Sequence, residues 1–181
     1  MSGLVLGIDI GGTNSKFGIT DRDGNVLVQS RIRTQGFTDY PGFIRELKKE
    51  VEKIHPITDI LGIGVGAPNA NFYKGTIEYP PNLPWKGISA FATEMEHVFE
   101  KKCVITNDAN AAALGEMTFG KAKEMKDFVV LTVGTGLGSG IVINGELVYG
   151  KHGFAGELGH TWSMQTDEAV RVARSDVWRR T

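Results

Sequence analysis

The chain has 181 residues, of which 41% are hydrophobic, and its formal net charge is -1 at pH 7. This size is typical of a globular chain with one core or two small ones, and the charge argues against a nucleic acid partner. The sequence enters an apolar strand at Leu4 and has no uninterrupted apolar run of about 18 residues, so we expect no export or membrane span and predict a cytoplasmic protein. The single cysteine, Cys103, stands beside apolar residues and is expected to pack as a small hydrophobe.

The first part of the chain predicts a meander of three strands followed by a helix. We expect strands at 4–8, 16–20 and 26–30, because β-branched and apolar residues are bounded there by turn residues. Apolar residues at helical spacing between positions 44 and 54 predict a helix that begins after Asp39 and ends by His55. The fold class is therefore α/β.

The middle of the chain continues the alternation of strands and helices. A buried strand is expected at 60–65, and the prolines of 79–85 exclude regular helix or central strand there. Apolar spacing predicts a second helix over 88–99, a strand follows at 104–106, and 109–117 reads as a helix of small residues.

From residue 128 the opening pattern begins again. A strand at 128–133, a glycine-rich turn at 134–140, a strand at 141–143, the hairpin turn Asn144-Gly145 and a strand at 147–149 repeat the order of the first meander. We therefore predict two lobes that face each other, with residues 1–120 forming a small lobe, 121–160 opening a large lobe, and 161–181 forming a tail. Without later helices, one apolar face of the second meander is expected to be exposed.

Two glycine-rich turns carry the first functional signal. Bare backbone N–H groups at such turns can approach phosphate oxygens closely. The candidate phosphate-binding residues are Gly11, Gly12, Thr13 and Asn14 in the first turn and Gly134, Thr135, Gly136 and Gly138 in the second. Asp9, just before the first turn, is placed to orient Mg²⁺ on the phosphates. A plain β-turn and a glycine-rich hairpin bend are the structural alternatives, and Lys16 fits a phosphate contact or a solvated strand face.

Four motifs in a fixed order then identify a family. Asp9-x-Gly11-Gly12-Thr13, Asn107-Asp108-Ala109, Gly134-Thr135-Gly136-x-Gly138 and Gly156-Glu157-x-Gly159-His160 resemble the ROK family of repressors and sugar kinases over residues 4 to 160. The resemblance implies an actin/hexokinase-like (ribonuclease H-like) two-lobe fold, ATP with Mg²⁺ as cofactors, and a hexose as the second substrate. The bacterial ATP-dependent glucokinases are the most similar group.

Asp108 is the candidate catalytic residue. A sugar hydroxyl needs a carboxylate that accepts its proton while it attacks the γ-phosphoryl group, and Asp108 stands where a strand ends and a helix begins. The resemblance assigns the base to this position, whereas a helix N-cap is the structural alternative. It also implies sugar contacts for Gly66, Ala67, Asn82, Asn107, Glu157 and His160, and makes His160 one ligand of a structural Zn²⁺.

The sequence departs from the family pattern after His160. Relatives continue with a cysteine-rich motif that completes the zinc site, yet residues 161–181 contain no cysteine. Codons compatible with 169–181 can spell such a motif when they are read two bases later, so we hypothesise that the tail is a frameshift product. A variant helix starting near Thr166 is the alternative. The zinc site is incomplete in this form, and we expect little or no kinase activity from it.

The sequence thus predicts a family sugar kinase that phosphorylates the 6-hydroxyl of glucose, a homo-oligomer in its intact form, with no nucleic acid or membrane partner. Alternatives within the family are a kinase for N-acetylglucosamine, N-acetylmannosamine, fructose or allose. A sugar-sensing repressor is a different class, and the start of the first strand at Leu4 argues against a preceding DNA-binding segment. A non-catalytic sugar-binding remnant is a third class.

Overall fold

The first of two units, Met1–Asp108, is organised by a mixed sheet. The computed structural model describes residues 3–134, 136–160, 162–163 and 170–171. In chain order the elements of this unit are β1 (Leu4–Asp9), β2 (Asn14–Thr20), β3 (Val26–Arg33), α1 (Tyr40–Ile54), a 3-10 turn (Ile57–Asp59), β4 (Ile60–Gly66), β5 (Ala70–Asn71), β6 (Thr76–Glu78), β7 (Ile88–Ser89), α2 (Phe91–Phe99) and β8 (Lys102–Thr106).

The main sheet has the strand order β3-β2-β1-β4-β8. Strands β1, β2 and β3 pair antiparallel, which confirms the predicted meander, while β4 lies parallel to both β1 and β8. The turn between β2 and β3 is held by the Asp21 carboxylate, which accepts bonds from the backbone N–H groups of Asp23 and Asn25. Parallel pairing of β1, β4 and β8 brings their carboxyl ends to one edge of the sheet.

One face of the sheet is covered by α1 and α2 through a continuous apolar core. Helix α1 begins where predicted, since the Asp39 side chain accepts a bond of 2.7 Å from Gly42 N and Pro41 follows the cap. Phe43 is fully buried and contacts the rings of Trp85 and Phe91, with centroid distances of 5.3 and 6.5 Å. Trp85 is therefore a core residue.

A small sheet of β5, β6 and β7 was not predicted from the sequence. Its strands have two or three residues each, too few for an alternating pattern to be recognised. The prediction that the second helix starts at Ile88 is wrong, because Ile88 pairs with Glu78 in β7 and α2 starts at Phe91. The segment 79–85 is a loop, as predicted.

The second unit is Ala109–Thr181, so the division falls earlier than the expected boundary at 120–127. The elements from here on are α3 (Asp108–Thr118), β9 (Phe128–Val133), β10 (Leu137–Ile143), β11 (Glu146–Leu147), a 3-10 turn (Leu158–His160), β12 (Trp162–Ser163) and β13 (Val170–Arg171). Helix α3 starts on the last residue of the first unit. The second sheet has the order β11-β10-β9.

The second meander differs from its prediction at two strands. The last strand was expected at 147–149, but β11 spans Glu146–Leu147. Strand β10 begins at Leu137 and not at Ile141, so the glycine turn is shorter than expected and Gly138 lies within a strand. The hairpin turn is confirmed, since Asn144 and Gly145 have φ angles of 54° and 77°, as a type I′ turn requires.

One face of β9 is exposed and apolar, as predicted. Val129, Leu131 and Val133 alternate along the strand and keep 49%, 55% and 61% of their surface accessible. The outward residues of a strand buried on one face are normally polar. The apolar composition of this face is that of a strand surface packed against other protein segments.

The expected tail, 161–181, lies almost wholly outside the described residues. Of it, the structure describes the backbone of β12 and β13, which pair antiparallel, so residues 170–171 do not follow the alternative helical interpretation. Within the described part of the chain, no helix has the length and apolarity that a bilayer crossing demands.

Candidate functional site

The carboxyl edge of the main sheet gathers the predicted residues of the first unit. Asp9, Gly66 and Thr106 are neighbours across β1, β4 and β8 in the strand register. The ladder continues beyond the strands, because Ile10 N donates to Gly66 O at 2.8 Å and Ala67 N donates to Thr106 O at 3.0 Å. These bonds fix the point at which each strand leaves the sheet. The edge of an α/β sheet where parallel strands end is the usual place of a ligand site.

The first glycine turn, residues 10–13, is fixed by its own backbone and by the end of β3. A methyl carbon built on Gly11 would lie 2.5 Å from Asn14 O, so only glycine fits there. The backbone N–H groups of Thr34 and Gln35 both donate to Thr13 O, at 2.9 and 3.2 Å. The turn is therefore held in place before any ligand arrives.

The loop that carries Asn82 lies directly on this turn. A methyl carbon built on Gly12 would be 2.6 Å from the carbonyl oxygen of Asn82 and 3.2 Å from its Cβ. The side chain of Asn82 itself is exposed. The structure thus brings a predicted sugar-side residue into contact with the predicted phosphate turn.

Asp9 and Asp108 lie close enough for their charges to interact. Partial burial raises the pKa of the Asp9 carboxyl above its ordinary value of 3.8, the negative charge of Asp108 raises it further, and Lys16 lowers it. Both acidic side chains keep access to solvent. Asp108 is the first residue of α3, and Asn107 links it to β8. Two carboxylates thus share one edge of the sheet.

This pair suits a magnesium ion. Mg²⁺ is commonly held by one or two carboxylates together with water and substrate phosphates, and does not need a full protein cage. Among the described residues, no group of three or more His, Cys, Asp or Glu side chains is placed to hold a metal. Burial is the main cause of the raised pKa of Asp9, and a cation beside Asp9 and Asp108 would relieve the repulsion that adds to it.

The sequence did not single out two buried polar residues, Thr106 at this edge and Asn110 in α3 of the second unit. Thr106 is 6% exposed and Asn110 is 3% exposed, yet Thr106 Oγ1 and Asn110 Oδ1 have no hydrogen-bond partner within the described residues. Thr106 shares the row of Asp9 and Gly66 across the sheet. The sequence signal that could have identified Thr106 is its position directly before Asn107-Asp108.

The glycines of the second segment have two different surroundings. A methyl carbon on Gly138 would lie 2.5 Å from Thr132 Oγ1 in β9 and 3.1 Å from Ala109 Cβ in α3. One on Gly140 would lie 2.6 Å from Ala113 Cβ, so Gly140 lets α3 pack closely on β10. A methyl carbon on Gly134 or Gly136 would meet no described residue within 4 Å. Thr135 lies outside the described residues.

Glu157 and His160 follow in the second unit. The Ser139 hydroxyl donates to the carbonyl of Gly156, and Leu158 N donates to the same oxygen at 2.8 Å, so the backbone on both sides of Glu157 is tied to β10. Glu157 is partly exposed. His160 ends a 3-10 turn, and its side chain lies outside the described residues.

The zinc site finds no support among the described residues. Its expected partners for His160 are absent from the sequence, and Cys103 belongs to the core of the first unit. Burial raises the pKa of the Cys103 thiol to about 12. This thiol is therefore neutral near pH 7 and packs as a hydrophobe, as predicted.

The predicted residues thus divide into two sets. The structure brings together Asp9, the first glycine turn, Gly66, Ala67, Asn82, Asn107 and Asp108 within the first unit. The second segment, Glu157 and His160 belong to the second unit. That both sets serve one nucleotide and one sugar stays a prediction.

Comparisons with known proteins agree with these motifs. The model of the ROK family matches residues 5–170. A glucokinase of Streptomyces coelicolor is 35% identical over 159 residues, which cover 87% of this chain and 49% of the relative. A xylose repressor of Caldicellulosiruptor bescii is 36% identical over 166 residues, covering 88% of this chain and 41% of the repressor.

A solved structure shares the fold. The ROK family glucokinase from Streptomyces griseus, in complex with glucose and AMPPNP, aligns with a TM-score of 0.76 at 32% identity, covering 88% of this chain and 50% of that one. The chain therefore spans about half the length of the curated relatives it matches, and its fold is the actin-like fold of these kinases.

Proposed function

The chain belongs to the ROK family, and from that premise we propose that the intact protein transfers the γ-phosphoryl group of ATP to the 6-hydroxyl of glucose. The observation that carries this proposal is the pair of carboxylates, Asp9 and Asp108, at the carboxyl edge of the sheet. The pair stands beside a preformed glycine turn whose neighbour is the Asn82 loop. The residues proposed as base, phosphate turn and acceptor loop all lie in the first unit.

In this proposal Asp108 is the general base. The sugar hydroxyl oxygen forms a bond to the γ-phosphorus while its proton passes to the Asp108 carboxylate, and the bond to the β-phosphate oxygen breaks to release ADP. The exposed position of Asp108 at the start of α3 leaves the carboxylate open to an incoming hydroxyl.

Asp9 would hold Mg²⁺, directly or through water, on the phosphate side of the same edge. The metal would neutralise charge that develops on the phosphate oxygens. Backbone N–H groups of Gly11 and Gly12, with Thr13 and Asn14, would receive the phosphates. In the intact protein, Gly134, Thr135, Gly136 and Gly138 would approach the same nucleotide.

Sugar binding is assigned to polar groups around the Asn82 loop. Gly66, Ala67, Asn82 and Asn107 would contact the hexose from the first unit, and Glu157 and His160 from the second. The contact between Gly12 and Asn82 supports this assignment, since it puts the acceptor loop beside the phosphate turn. A sub-ångström shift there would change the distance between the reacting atoms.

The test is a coupled assay of ADP formation by the frame-corrected protein against a panel of hexoses. Asp108→Asn is expected to lower kcat by about 10²–10⁴-fold with little change in KM, because a general base contributes that much to the rate. Asp23→Asn, an exposed acid in the turn between β2 and β3, is the matched control and should keep full activity. Unchanged turnover in Asp108→Asn would remove this residue as the base.

A regulator is the second candidate, and the 36% identity to a xylose repressor favours it. The panel separates the classes, since a regulator would bind a sugar without forming ADP. Preference for N-acetylglucosamine, N-acetylmannosamine, fructose or allose would keep the kinase and replace glucose. A form that binds sugar but neither turns over nor regulates would be a remnant.

Cytoplasmic location, homo-oligomer formation and the frameshift after His160 remain proposals of the same kind. Sequencing the gene tests the frameshift. A reading frame beside the tail that encodes the cysteine-rich motif is expected, and its absence would rule the frameshift out. A frame-corrected protein is the form in which the full activity is expected.

A further inference from the structure

The residue at the base of the Asn82 loop has a strained backbone conformation. Tyr79 has a φ angle of 48°, in the left-handed region that a bulky residue rarely adopts. Its backbone N–H donates to Gly87 O at 2.7 Å, and the Asn69 side chain donates to its carbonyl oxygen at 3.3 Å. Because both backbone groups of Tyr79 are held in this way, the surrounding loop imposes the conformation.

The packing of the Tyr79 side chain does not explain why a tyrosine stands at this position. The side chain is 69% exposed, the largest fraction among the large hydrophobic side chains that the structure describes. Within the described residues its ring pairs with no other ring, and its hydroxyl forms no hydrogen bond. Glycine would remove the strain without a loss of packing. Backbone strain of this kind is concentrated at functional positions.

The loop holds the ring on a rigid support. Residues 80–86 are closed at their base by the bond between Tyr79 and Gly87. Leu83 and Trp85 anchor the loop in the core, since they are only 1% and 3% exposed. Three residues separate Tyr79 from Asn82 along the chain, so their Cα atoms lie within about 11 Å of each other. A ligand bound by Asn82 is therefore close enough to meet the ring.

The chemistry of this surface suits a sugar. The face of an aromatic ring carries partial negative charge and attracts the slightly positive C–H groups, which form the two apolar faces of a pyranose. The hydroxyls at the rim of the pyranose hydrogen-bond to amides such as that of Asn82. A cation would also be attracted to the ring. Lys86 repels such a cation, since it is exposed in the same loop and donates to Pro81 O at 3.3 Å.

We propose that Tyr79 determines the specificity of the acceptor site, because its ring stacks on one apolar face of the hexose that Asn82 contacts. This inference rests on the proposed sugar kinase function, although the stacking itself requires no turnover. In glucose the hydroxyls at C2, C3 and C4 are equatorial and leave both faces apolar. Allose and mannose each place one axial hydroxyl on a face, and the two faces are opposite. The stacked ring rejects the epimer whose axial hydroxyl points toward it.

The first test is saturation-transfer NMR of the 181-residue chain with glucose. Irradiation of the aromatic protons is expected to transfer saturation to the ring C–H protons of glucose, and Tyr79→Ala should reduce that transfer about fivefold. Tyr79→Phe should keep it, because the hydroxyl of Tyr79 has no partner to lose. Tyr73→Ala removes another tyrosine of the first unit, which is 61% exposed, and is the matched control with unchanged transfer.

The second test separates sugar binding from the chemical step. In the frame-corrected protein, Tyr79→Ala should raise the KM for glucose about fivefold and leave kcat within about twofold, because the ring contacts the sugar and not the transferred phosphoryl group. The KM for either allose or mannose should change less than about twofold, since that epimer never stacks on the ring.

A third measurement separates the ring from the backbone strain. Tyr79→Gly and Tyr79→Ala should lose the same affinity for glucose, because both lack the ring. Tyr79→Gly should nevertheless unfold at a higher urea concentration than Tyr79→Ala, because glycine adopts the left-handed conformation without strain. A midpoint that is no higher for the glycine variant would contradict the strain on which the inference is built.

Three results with sugars and nucleotide would also overturn the proposal. The first is a parent chain that shows no transfer to glucose, and the second is unchanged transfer and KM in Tyr79→Ala. The third is a Tyr79→Ala variant whose KM rises for ATP and not for glucose, which would mean that the ring stacks on the nucleotide base. Absence of ADP formation alongside ring-dependent transfer would reject the kinase and keep Tyr79 as a sugar contact.

Discussion

The two glycine-rich segments use the same residue for different physical reasons. In the first, Gly11 and Gly12 face backbone atoms at 2.5 and 2.6 Å, so any side chain there must displace its neighbours. In the second, Gly138 makes room for Thr132 and Ala109, and Gly140 makes room for α3, but a methyl carbon on Gly134 or Gly136 meets nothing within 4 Å among the described residues. Packing against the described part of the chain therefore does not explain Gly134 and Gly136.

The comparison separates glycines that build a turn from glycines that leave room. The first turn is complete within its own unit, tied to the end of β3 and to the Asn82 loop. A glycine whose surroundings would accept a side chain still lowers the stability of the folded state, because glycine loses more conformational entropy on folding than other residues. At these open glycines of the second segment we therefore expect a ligand to approach the backbone.

Gly140→Ala is expected to have the largest effect on stability and would break the comparison if it had none. Its new methyl group would lie 2.6 Å from Ala113 Cβ and 2.8 Å from Ala109 O, both in α3. Such overpacking against a helix costs about 3 kcal/mol of unfolding free energy. Urea unfolding followed by tryptophan fluorescence and circular dichroism measures it. Gly145, whose surroundings are open but whose φ is positive, is not a suitable control.

Gly12→Ala should cost somewhat less, about 2 kcal/mol, because the exposed Asn82 loop can yield by a few tenths of an ångström. Gly64→Ala is the matched control, since a methyl carbon there meets nothing within 4 Å. That control should be neutral or stabilising by up to about 1 kcal/mol. Equal stability of the two variants would show that the Asn82 contact does not constrain the turn.

Gly136→Ala sharpens the comparison from the other side. Its unfolding free energy should stay within about 0.5 kcal/mol of the parent, because the methyl group enters open space. ATP binding, measured by calorimetry, should nevertheless weaken severalfold if phosphate oxygens approach this backbone. A loss of stability together with unchanged ATP binding would show that Gly136 serves packing and not ligand binding.

Asp9→Asn is expected to produce the smallest change, and its sign depends on pH. The pKa of Asp9 in the folded protein lies above its ordinary value of 3.8, so the folded state holds the proton more tightly than the unfolded state. The free energy of unfolding therefore falls as the pH rises from the ordinary pKa to the folded pKa. The asparagine variant lacks this fall. It should be at least as stable as the parent at pH 7, with the difference vanishing below the ordinary pKa. Urea unfolding between pH 3 and 7 tests this, and a variant less stable at pH 7 would contradict it.

Much of the fold followed from local patterns. The meander, α1 with its Asp39 cap, and the Asn144-Gly145 turn were predicted because each depends on residues close in sequence. The small sheet of β5, β6 and β7 was missed, since its strands are too short for periodicity. Ile88 was placed in a helix because its spacing to Met95 fits, although its partner is Glu78 in another strand.

The site was predictable only to the level of its residues. Asp9 and Asp108 were both identified from the ends of strands, but their proximity depends on the order β1-β4-β8, which the sequence does not state. The contact between Gly12 and Asn82 depends on the path of a long loop. The pairing of Arg31 with Lys16 depends on register in the same way, because it exists only in this alignment of β2 and β3.

The bare face of β9 bears on the life of this polypeptide in a cell. Val129, Leu131 and Val133 offer the alternating apolar pattern that quality-control machinery retains or degrades when it stays uncovered. Abundance would then be set by how soon after synthesis another segment shields that strand. The half-life of the chain in the cell would then report whether the apolar face of β9 is covered.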